Sequence, residues 1–293
     1  MTQNIRINVL ELLVTMICIV LIVCLPSLIV QEDVFGFHLI SYVESVLGTC
    51  KNLFQINDAS YVMESGKILS LFPDAFERYA YSMLILLSAL LFSLIVTILL
   101  SYGYTLSSVK IKKGIQNTLV ILESLPDVLI VAVAQFTVIW LFKKTNLLLF
   151  DVVSVPDDRS YILPILCLSI LPLIQLFKFF VMQVEEEKVK PYIQFANGRG
   201  FTKSYILWIH ILRNVLIHLF YHSKTIFLFL LSNLFVLEIM FNMDGIMNLI
   251  KYNVKIPEIM AIGIILIYVP FFIFFKCILY FVAKLSGMGE VEQ

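Results

Sequence analysis

The stretch Gln183-Val-Glu-Glu-Glu-Lys-Val-Lys-Pro-Tyr-Ile-Gln-Phe-Ala-Asn-Gly-Arg-Gly-Phe-Thr-Lys203 is a polar segment between two long apolar runs. Pro191 suits the first position of a helix, and Gly198 and Gly200 are expected to end that helix after about two turns. Helical spacing then places three side chains on one face, namely Tyr192, Phe195 and Ala196. The stretch therefore predicts a short helix with one apolar side, held outside the bilayer between two membrane spans.

A second helix is expected directly after this one, with Thr202 as its N-cap. It carries large side chains toward the next apolar run: Tyr205, Trp208, Ile209 and Leu212. A short helix placed between two spans is suited to contact a soluble partner. The alternative interpretation is a solvated amphipathic connector without a partner.

The composition is that of an integral membrane protein. The mean hydropathy is +0.95, with 60% hydrophobic and 14% charged residues, against about 45–50% and about 25% in soluble domains. Six apolar runs are long enough to cross a hydrocarbon core, which needs about 20 helical residues: Val9–Val30, Tyr79–Tyr102, Thr118–Phe142, Ile162–Met182, Leu216–Met240 and Ile259–Ala283. Because long strands of alternating pattern are absent from the sequence, we predict an all-α protein with six transmembrane helices and both termini on one side.

The polar segment and the start of the next run carry residues at the spacing of a known family: Tyr192, Ala196, Gly200, His210, Arg213 and Asn214. At these positions the chain resembles the cytoplasmic coupling loop of ABC transporter permeases that import their substrate, specifically the oligopeptide/dipeptide/nickel branch. Members of that branch have a tyrosine four residues before a small residue, a glycine four residues later, and a His-x-x-Arg-Asn run entering the fifth span. Gln194 departs from the general motif, which has an acidic residue there.

A second resemblance follows the fifth apolar run, where the family has a Glu-x-x-Phe-x-x-x-Gly element that here is Glu238, Phe241 and Gly245. Proline-containing turns of the third and fourth spans are matched by Ser124-Leu-Pro126 and Leu163-Pro164. The resemblance therefore covers roughly residues 76 to 285. Asp244 and Met247 depart from it, because the family has a proline and a second glycine at these positions.

The resemblance implies a type I ABC importer permease fold with a cytoplasmic coupling helix. It divides the chain into an N-terminal anchor helix (1–30), an extracytoplasmic segment (31–78), a core of five spans with the coupling loop 183–213 (79–285), and a cytoplasmic tail (286–293). It places the protein in the bacterial cytoplasmic membrane with both termini in the cytoplasm. Lysines and arginines are almost evenly divided between the two sides, so the orientation rests on the resemblance.

The resemblance also implies partners and roles. The partners are a second homologous permease, two ATPase subunits, an extracytoplasmic substrate-binding protein and the lipid bilayer. The residues expected to couple to the ATPase are Tyr192, Ala196, Gly198, Gly200, His210 and Arg213. Glu238, Phe241 and Gly245 are expected to form part of an external gate. The chain would then form half of a translocation path for short peptides, with nickel or a metal chelate as the alternative cargo.

Polar groups inside the fifth run are candidates for lining the translocation path. Charged side chains within spans are energetically unfavourable, so those that occur there are usually functional. His218 and His222 lie one helical turn apart, and Lys224 follows them. Three interpretations stay open: a transition-metal site, a polar path for the carboxylate or backbone of a peptide, and a hydrogen-bonded cluster between helices. No metal site is predicted, because no third ligand is nearby and Lys224 would repel a cation.

Other charged groups near spans have simpler expected roles. Lys178 and Lys276 lie near the ends of spans and are expected to extend their ammonium groups toward water. Glu123 and Asp127 flank Pro126 and are expected to hydrogen-bond the backbone groups that the proline frees. The amphipathic part of the 31–78 segment is expected to form helices that lie on the membrane or on a partner.

No catalytic motif is present: the chain lacks a phosphate loop, a nucleophile elbow and a His-Glu-x-x-His helix. It is therefore not expected to be an enzyme or to hold a cofactor, and ATP hydrolysis is assigned to separate subunits. The five cysteines form neither a disulfide framework nor a metal-ligand spacing, and a net charge of zero argues against nucleic acid as a partner. Two further functional classes stay open, a secondary transporter that uses Glu238, Lys224 and the histidines as a proton relay, and a non-transporting scaffold or sensor.

Overall fold

Apolar runs long enough to cross a bilayer determine most of the fold, because backbone polar groups at that depth are satisfied inside helices. The computed structural model describes residues 2–31, 34–54, 60–62, 68–155 and 158–286. Within these residues, six helices are long and apolar enough to span a membrane: Val9–Ile29, Leu71–Leu106, Asp127–Thr145, Ile162–Lys188, Ile206–Met240 and Pro257–Cys277. The prediction of six helical spans is confirmed.

The described elements are mostly helical. The helices are α1 (Thr2–Val23), α2 (Pro26–Ile29), α3 (Leu39–Phe54), α4 (Leu71–Leu106), α5 (Val109–Glu123), α6 (Asp127–Thr145), α7 (Ile162–Lys188), α8 (Pro191–Gly198), α9 (Lys203–Tyr205), a π-helix (Ile206–Ile211), α10 (Leu212–Met240), α11 (Ile246–Tyr252) and α12 (Pro257–Ser286). Two short antiparallel pairs, β1 (Val30–Gln31) with β2 (Val34–Phe35) and β3 (Ser60–Val62) with β4 (Ile68–Ser70), were not predicted. Most of the predicted tail, 287–293, lies outside the described residues.

The third predicted span is not one continuous helix. Helix α5 ends at Glu123, and α6 begins at Asp127 with Pro126 as its N-cap in an extended conformation (φ −64°, ψ 144°). Proline lacks a backbone N–H and disfavours helical geometry at the residue before it, so the helix stops here. The apolar run Thr118–Phe142 is therefore divided at Ser124–Pro126, where the resemblance implied a proline-containing turn. The first run is also interrupted, because Pro26 starts the separate helix α2 after α1 ends at Val23.

Both lysines that were expected to reach toward water also have a carboxylate partner. The Lys178 ammonium pairs with Glu123 at the end of α5, and Lys276 Nζ lies 2.8 Å from Glu11 Oε2. A carboxylate at the same depth stabilises an ammonium group where water is scarce. Glu123 is thus engaged by Lys178, and the expectation that it hydrogen-bonds the backbone at Pro126 is not supported by its described contacts.

By its internal packing the chain forms two units, residues 1–82 with 244–293, and residues 83–243. In the first unit, α1 packs against α12, and α3 contacts both helices. Ile19, Val23 and Ala261 form a buried cluster between them. Polar contacts join the same helices: the Tyr42 hydroxyl donates to the Leu21 carbonyl at 3.1 Å, and the Tyr268 hydroxyl lies 3.2 Å from Thr15 Oγ1.

The first unit also contains a buried arginine. Arg78 lies near the start of α4. Its Nε donates a hydrogen bond to Asp74 Oδ2 at 2.6 Å, and its guanidinium also forms an ion pair with Asp244. One turn further along α4, the buried Ser82 hydroxyl accepts the backbone N–H of Ile246 at 2.9 Å. These contacts fix the start of α11 against α4. They also give Asp244 a structural role at the position where the resembled family has a proline.

In the second unit, α7 and α10 form the most extensive helix pair, and α5 and α6 pack against α7. The part of α4 that belongs to this unit approaches α7 through small polar residues. Buried Ser93 donates to the Ala89 carbonyl at 2.7 Å and lies 3.0 Å from the Ser169 carbonyl. Small polar side chains of this kind permit close helix packing where all surroundings are apolar.

Gly263 of α12 is a position in the first unit where a side chain would not fit. A Cβ atom there would lie 2.7 Å from Cγ1 of Ile250 on α11. We expect Gly263→Ala to destabilise the protein by about 1–3 kcal/mol, in the range observed for overpacked cores. The measurement is the thermal loss of monodisperse protein in mild detergent.

The matched control for this prediction is Gly114→Ala, because a Cβ at Gly114 of α5 meets no atom within 4 Å. Alanine is the better helix former, so this change should be neutral or stabilising. Ile250→Ala removes both the Cγ1 and the Cδ1 atoms that a Cβ at Gly263 would meet, so Gly263→Ala should cost less in that background than in the wild type, since contacting residues are energetically coupled. Equal melting behaviour of the two glycine variants would contradict the packing argument.

Candidate functional site

The predicted short helix between the fourth and fifth spans is present as α8. It begins with Pro191 after Lys190, whose backbone is extended (φ −67°, ψ 144°), and it ends at Gly198. Gly200 has φ +81°, and the N–H groups of Gly200 and Phe201 bond to the carbonyls of Asn197 (3.0 Å) and Ala196 (3.4 Å). This is a Schellman motif, which needs a left-handed residue at the position of Gly200. Both predicted ends of the helix are confirmed.

The three side chains predicted to share one apolar face differ in their exposure. Ala196 is buried together with Ile193, whereas Phe195 is 63% exposed and Tyr192 is partly exposed. Helix α8 packs against the end of α7 and against the π-helix, so its buried face is used within the chain. The apolar group that α8 presents outward is the Phe195 ring, and the Arg199 guanidinium lies 4.7 Å from its centroid.

A buried carboxylate connects α8 to its neighbours. Glu187, in the last turn of α7, is 2% exposed and accepts hydrogen bonds from the Lys190 ammonium and the Tyr192 hydroxyl. The Tyr192 hydroxyl in turn accepts Nδ2 of Asn214, in α10, at 3.0 Å. Tyr192 therefore bridges α7 and α10. The sequence analysis named Tyr192 and Asn214 but missed Glu187, whose only signal was its place at the end of the Glu-Glu-Glu run.

The environment of Tyr192 changes its acidity. Burial and the hydrogen bond to the Glu187 carboxylate raise the pKa of Tyr192 to about 12, against the hydrogen bond from Asn214, which lowers it. Removing the proton would place two negative charges side by side in a partly desolvated position. Tyr192 is therefore a hydrogen-bond donor throughout the physiological range.

The segment after α8 begins as predicted and then departs from an α-helix. The backbone N–H of Tyr205 bonds to Thr202 Oγ1 at 3.3 Å, which confirms Thr202 as the N-cap. Helix α9 covers only Lys203–Tyr205 and continues as the π-helix Ile206–Ile211. The π-helix contains His210, whose ring lies edge-on to Tyr205 with centroids 5.8 Å apart. Such wide turns are rare and occur frequently at functional sites.

The polar groups of α10 do not form one cluster. His222 stacks on Phe179 of α7 with centroids 4.0 Å apart and an interplanar angle of 11°. His218 and Lys224 are exposed on the surface of this subunit, as is Arg213 near the start of α10. Among the residues that the structure describes, no group of three His, Cys, Asp or Glu side chains could hold a metal ion.

The far end of α10 is closed by a second Schellman motif. Asn242 has φ +51°, its N–H bonds to the Ile239 carbonyl at 3.2 Å, and the N–H of Met243 bonds to the Glu238 carbonyl at 2.8 Å. Glu238 and Phe241 are fully buried. Asparagine is the usual alternative to glycine at this left-handed position, and the sequence analysis did not identify it.

Two neighbouring elements fix this end of α10. Gln135 Nε2, in α6, donates to the carbonyls of Met240 (3.2 Å) and Val152 (3.0 Å). The Ser154 N–H, in the loop before α7, donates to the Phe241 carbonyl at 2.7 Å. The carbonyl groups that a helix end leaves unpaired are thus satisfied inside the protein.

Gly245 follows this helix end and does not itself reverse the chain. It precedes α11 with φ −102° and ψ −177°, an extended conformation open to any residue. The chain reversal after α10 is made by Asn242, because that residue has the left-handed backbone. Gly245 is therefore not required by the turn geometry, in contrast to Gly200.

Removing the Tyr192 hydroxyl tests the carboxylate network. We expect Tyr192→Phe to leave the buried Glu187 with one donor fewer and to destabilise this region by about 1–3 kcal/mol, as for other unsatisfied buried polar groups. The measurement is amide hydrogen exchange, which should accelerate in residues 189–200. Phe201→Leu, which leaves the network intact, is the control. Unchanged exchange in Tyr192→Phe would contradict the role of the network.

The raised pKa of Tyr192 sets the pH dependence of the same contact. Because the folded-state pKa of about 12 exceeds the unfolded value, the stabilisation is fully present below about pH 10 and is lost as the pH rises toward 12. The difference in tyrosinate absorbance between the wild type and Tyr192→Phe should show one group that titrates near pH 12. A difference spectrum that titrates near pH 10 would contradict this assignment.

Comparison with protein families identifies the chain. Residues 101–286, well over half of its length, match the family described as binding-protein-dependent transport system inner membrane component. The match includes α8, the π-helix and all of α10. The comparison with curated proteins found no match. The protein therefore belongs to this family: it is a multi-pass inner-membrane permease subunit of a binding-protein-dependent ABC importer, whose ATP hydrolysis takes place on other subunits.

Proposed function

We propose that this permease imports short peptides, as half of a translocation path completed by a second, similar permease. Two ATPase subunits bind on the cytoplasmic side, and α8 is the element that contacts one of them. An extracytoplasmic binding protein delivers the peptide. In this arrangement both termini lie in the cytoplasm. The residues from Tyr192 to Asn214 resemble the oligopeptide/dipeptide/nickel branch, and peptides are preferred to nickel within it because Lys224 would repel a metal cation.

The observation that carries the proposal is the hydrogen-bonded chain from Glu187 through Tyr192 to Asn214. It joins α8 to both long helices, α7 and α10, at the same point. A displacement imposed on α8 would therefore be passed to two membrane spans together. Rocking of packed helices about a central site is the motion expected of alternating access.

The packing of α8 divides the proposed coupling residues by role. Ala196 is buried, so it positions α8 within this subunit, and Gly200 ends the helix through its left-handed backbone. Phe195, Arg199 and Gly198 lie on the exposed side. We assign the contact with the ATPase to this side, with the Phe195 ring as the apolar anchor. A large aromatic side chain with an adjacent arginine is typical of residues that dominate binding energy in protein interfaces.

Phe195→Ala tests this contact without disturbing the buried face of α8. Loss of an aromatic anchor removes about 2 kcal/mol or more of binding energy, so we expect a drop of at least about tenfold in ATPase affinity. The measurement is the retention of the ATPase during purification, together with ATP-dependent uptake. Val109→Ala, on an equally apolar and more exposed side chain of α5, should change neither. Normal ATPase retention in Phe195→Ala would contradict the assignment.

Two exposed polar side chains of α10 support a path shared with a second subunit. His218 and Lys224 point out of this subunit, and a charged group in a span is stable where it faces water or a partner. Lys224 is suited to attract the carboxylate of a passing peptide. Glu238, Phe241 and Gly245 are assigned to the external gate at the far end of α10.

Transport by the reconstituted complex tests cargo and energy source together. In vesicles that contain this subunit and the proteins purified with it, we expect labelled di- to pentapeptides to accumulate only when ATP is present. An uncoupler that collapses ion gradients should leave uptake intact. Nickel and a nickel chelate serve as competing cargo. Accumulation of nickel without peptide uptake would overturn the peptide assignment and leave the ATPase contact to be judged by the Phe195 experiment.

A further inference from the structure

The first unit contains a cavity that the proposed transport mechanism does not use. It has a volume of about 450 Å³ and lies among α1, α3, the start of α4 and α12. Its wall includes Val20 and Leu21 of α1, Val46 and Phe54 of α3, Phe76 of α4 and Ile262 of α12. Every lining side chain is a hydrocarbon, aromatic, thioether or thiol group. The cavity therefore offers its contents almost no hydrogen-bonding partner.

The position of the cavity along the helices sets its depth. The lining residues of α1 fall in the middle of the span Val9–Ile29, and those of α12 fall in the first half of the span Pro257–Cys277. Both stretches lie within the hydrocarbon region of a bilayer. The walls formed by α1 and α12 thus lie at a level where lipid tails, and not headgroups, are the neighbouring material, and α3, which is not one of the six spans, closes the space beside them.

Neither filling this cavity with water nor leaving it empty is favourable. At about 30 Å³ per molecule it would hold roughly 15 waters, and each of them needs two or more polar partners that the walls do not provide. An empty cavity of this size would deprive its lining of dispersion contacts on one side. A flexible hydrocarbon chain is the one abundant component of the surroundings that fills such a space without unsatisfied polar groups.

The walls are held apart by polar contacts that point away from the cavity. Tyr42 bonds to the Leu21 carbonyl, and Cys24 lies 3.5 Å from Thr49 Oγ1 between α1 and α3. Asn52 Nδ2 donates to Glu258 Oε1 at 2.7 Å between α3 and α12. These contacts fix α3 across the other two helices, so the space is preformed. Ligand sites of similar volume are usually preformed as well.

We propose that this cavity binds one acyl chain of a membrane phospholipid. The chain enters from the bilayer between α3 and the start of α4, where Phe54 and Phe76 are exposed. It packs along Val20 and Ile262 in the interior of the cavity. The bound lipid is a structural component of the first unit, independent of the transported substrate.

Photolabelling of the purified complex tests the site. A phospholipid with a diazirine in its acyl chain is added to delipidated complex in mild detergent, illuminated, and mapped on peptides by mass spectrometry. We expect saturable labelling of the peptides that contain Phe54, Phe76 and Ile262, competed by unmodified phospholipid. Exposed membrane-facing positions such as Leu91 and Phe136 should be labelled in proportion to lipid concentration, without saturation.

A matched pair of variants on α3 connects the labelling to the cavity. Val46 lines the cavity, whereas its neighbour Leu47 is exposed and does not. Val46→Phe should fill the space and reduce saturable labelling by roughly tenfold, and Leu47→Phe should leave it unchanged. If Val46→Phe fails to assemble, Ile262→Phe fills the same space from α12. The proposal would be overturned by uniform labelling of all surfaces or by unchanged labelling in the filled variants. Cross-linking of Cys50 to a partner subunit in place of lipid would overturn it as well.

Discussion

The buried Glu187 carboxylate is the constraint on which the rest of the loop depends. A charge removed from water is strongly unfavourable unless it is neutralised and hydrogen-bonded. Glu187 meets this requirement only when Lys190 and Tyr192 are in place, and Tyr192 accepts Asn214 in turn. One carboxylate therefore determines the exit direction of α7, the position of α8 and the start of α10. Hydrophobic packing is less directional than these hydrogen bonds, because the burial of Ile193 and Ala196 fixes no bond angle.

Helix ends in the second unit also have their buried polar groups hydrogen-bonded. The backbone groups that a helix end leaves unpaired must be satisfied within the protein. Left-handed residues close α8 at Gly200 and α10 at Asn242, and in both cases two N–H groups return to the last turn. Gln135 supplies a further donor at the end of α10. The backbone groups at both helix ends are thus paired inside the protein rather than with water.

Sequence reasoning succeeded where a local residue has one physical consequence. Length and hydropathy predicted the six spans, and Pro191, Gly200 and Thr202 predicted the limits of α8 and the cap after it. It failed where the outcome depends on contacts between distant residues. The partners of Glu187 and Lys178 lie on other turns or helices, and no local pattern distinguishes a π-helix from the α-helix expected after Thr202. Pro126 carried the signal for the break between α5 and α6, but hydropathy alone did not show that the span proper begins only at Asp127.

The segment between α8 and α10 combines the left-handed Gly200 with the π-helix Ile206–Ile211. Glycine has few steric limits on its backbone, and π-helical turns are rare departures from α-helical geometry. The backbone path from α8 to α10 has to pass through both. The bond from Tyr192 to Asn214 spans 22 residues of sequence and bypasses the segment completely. If α8 is the docking element proposed above, the side-chain contact rather than the chain itself is the mechanical link to α10, and the π-helix is free to accommodate the change in angle that the link imposes.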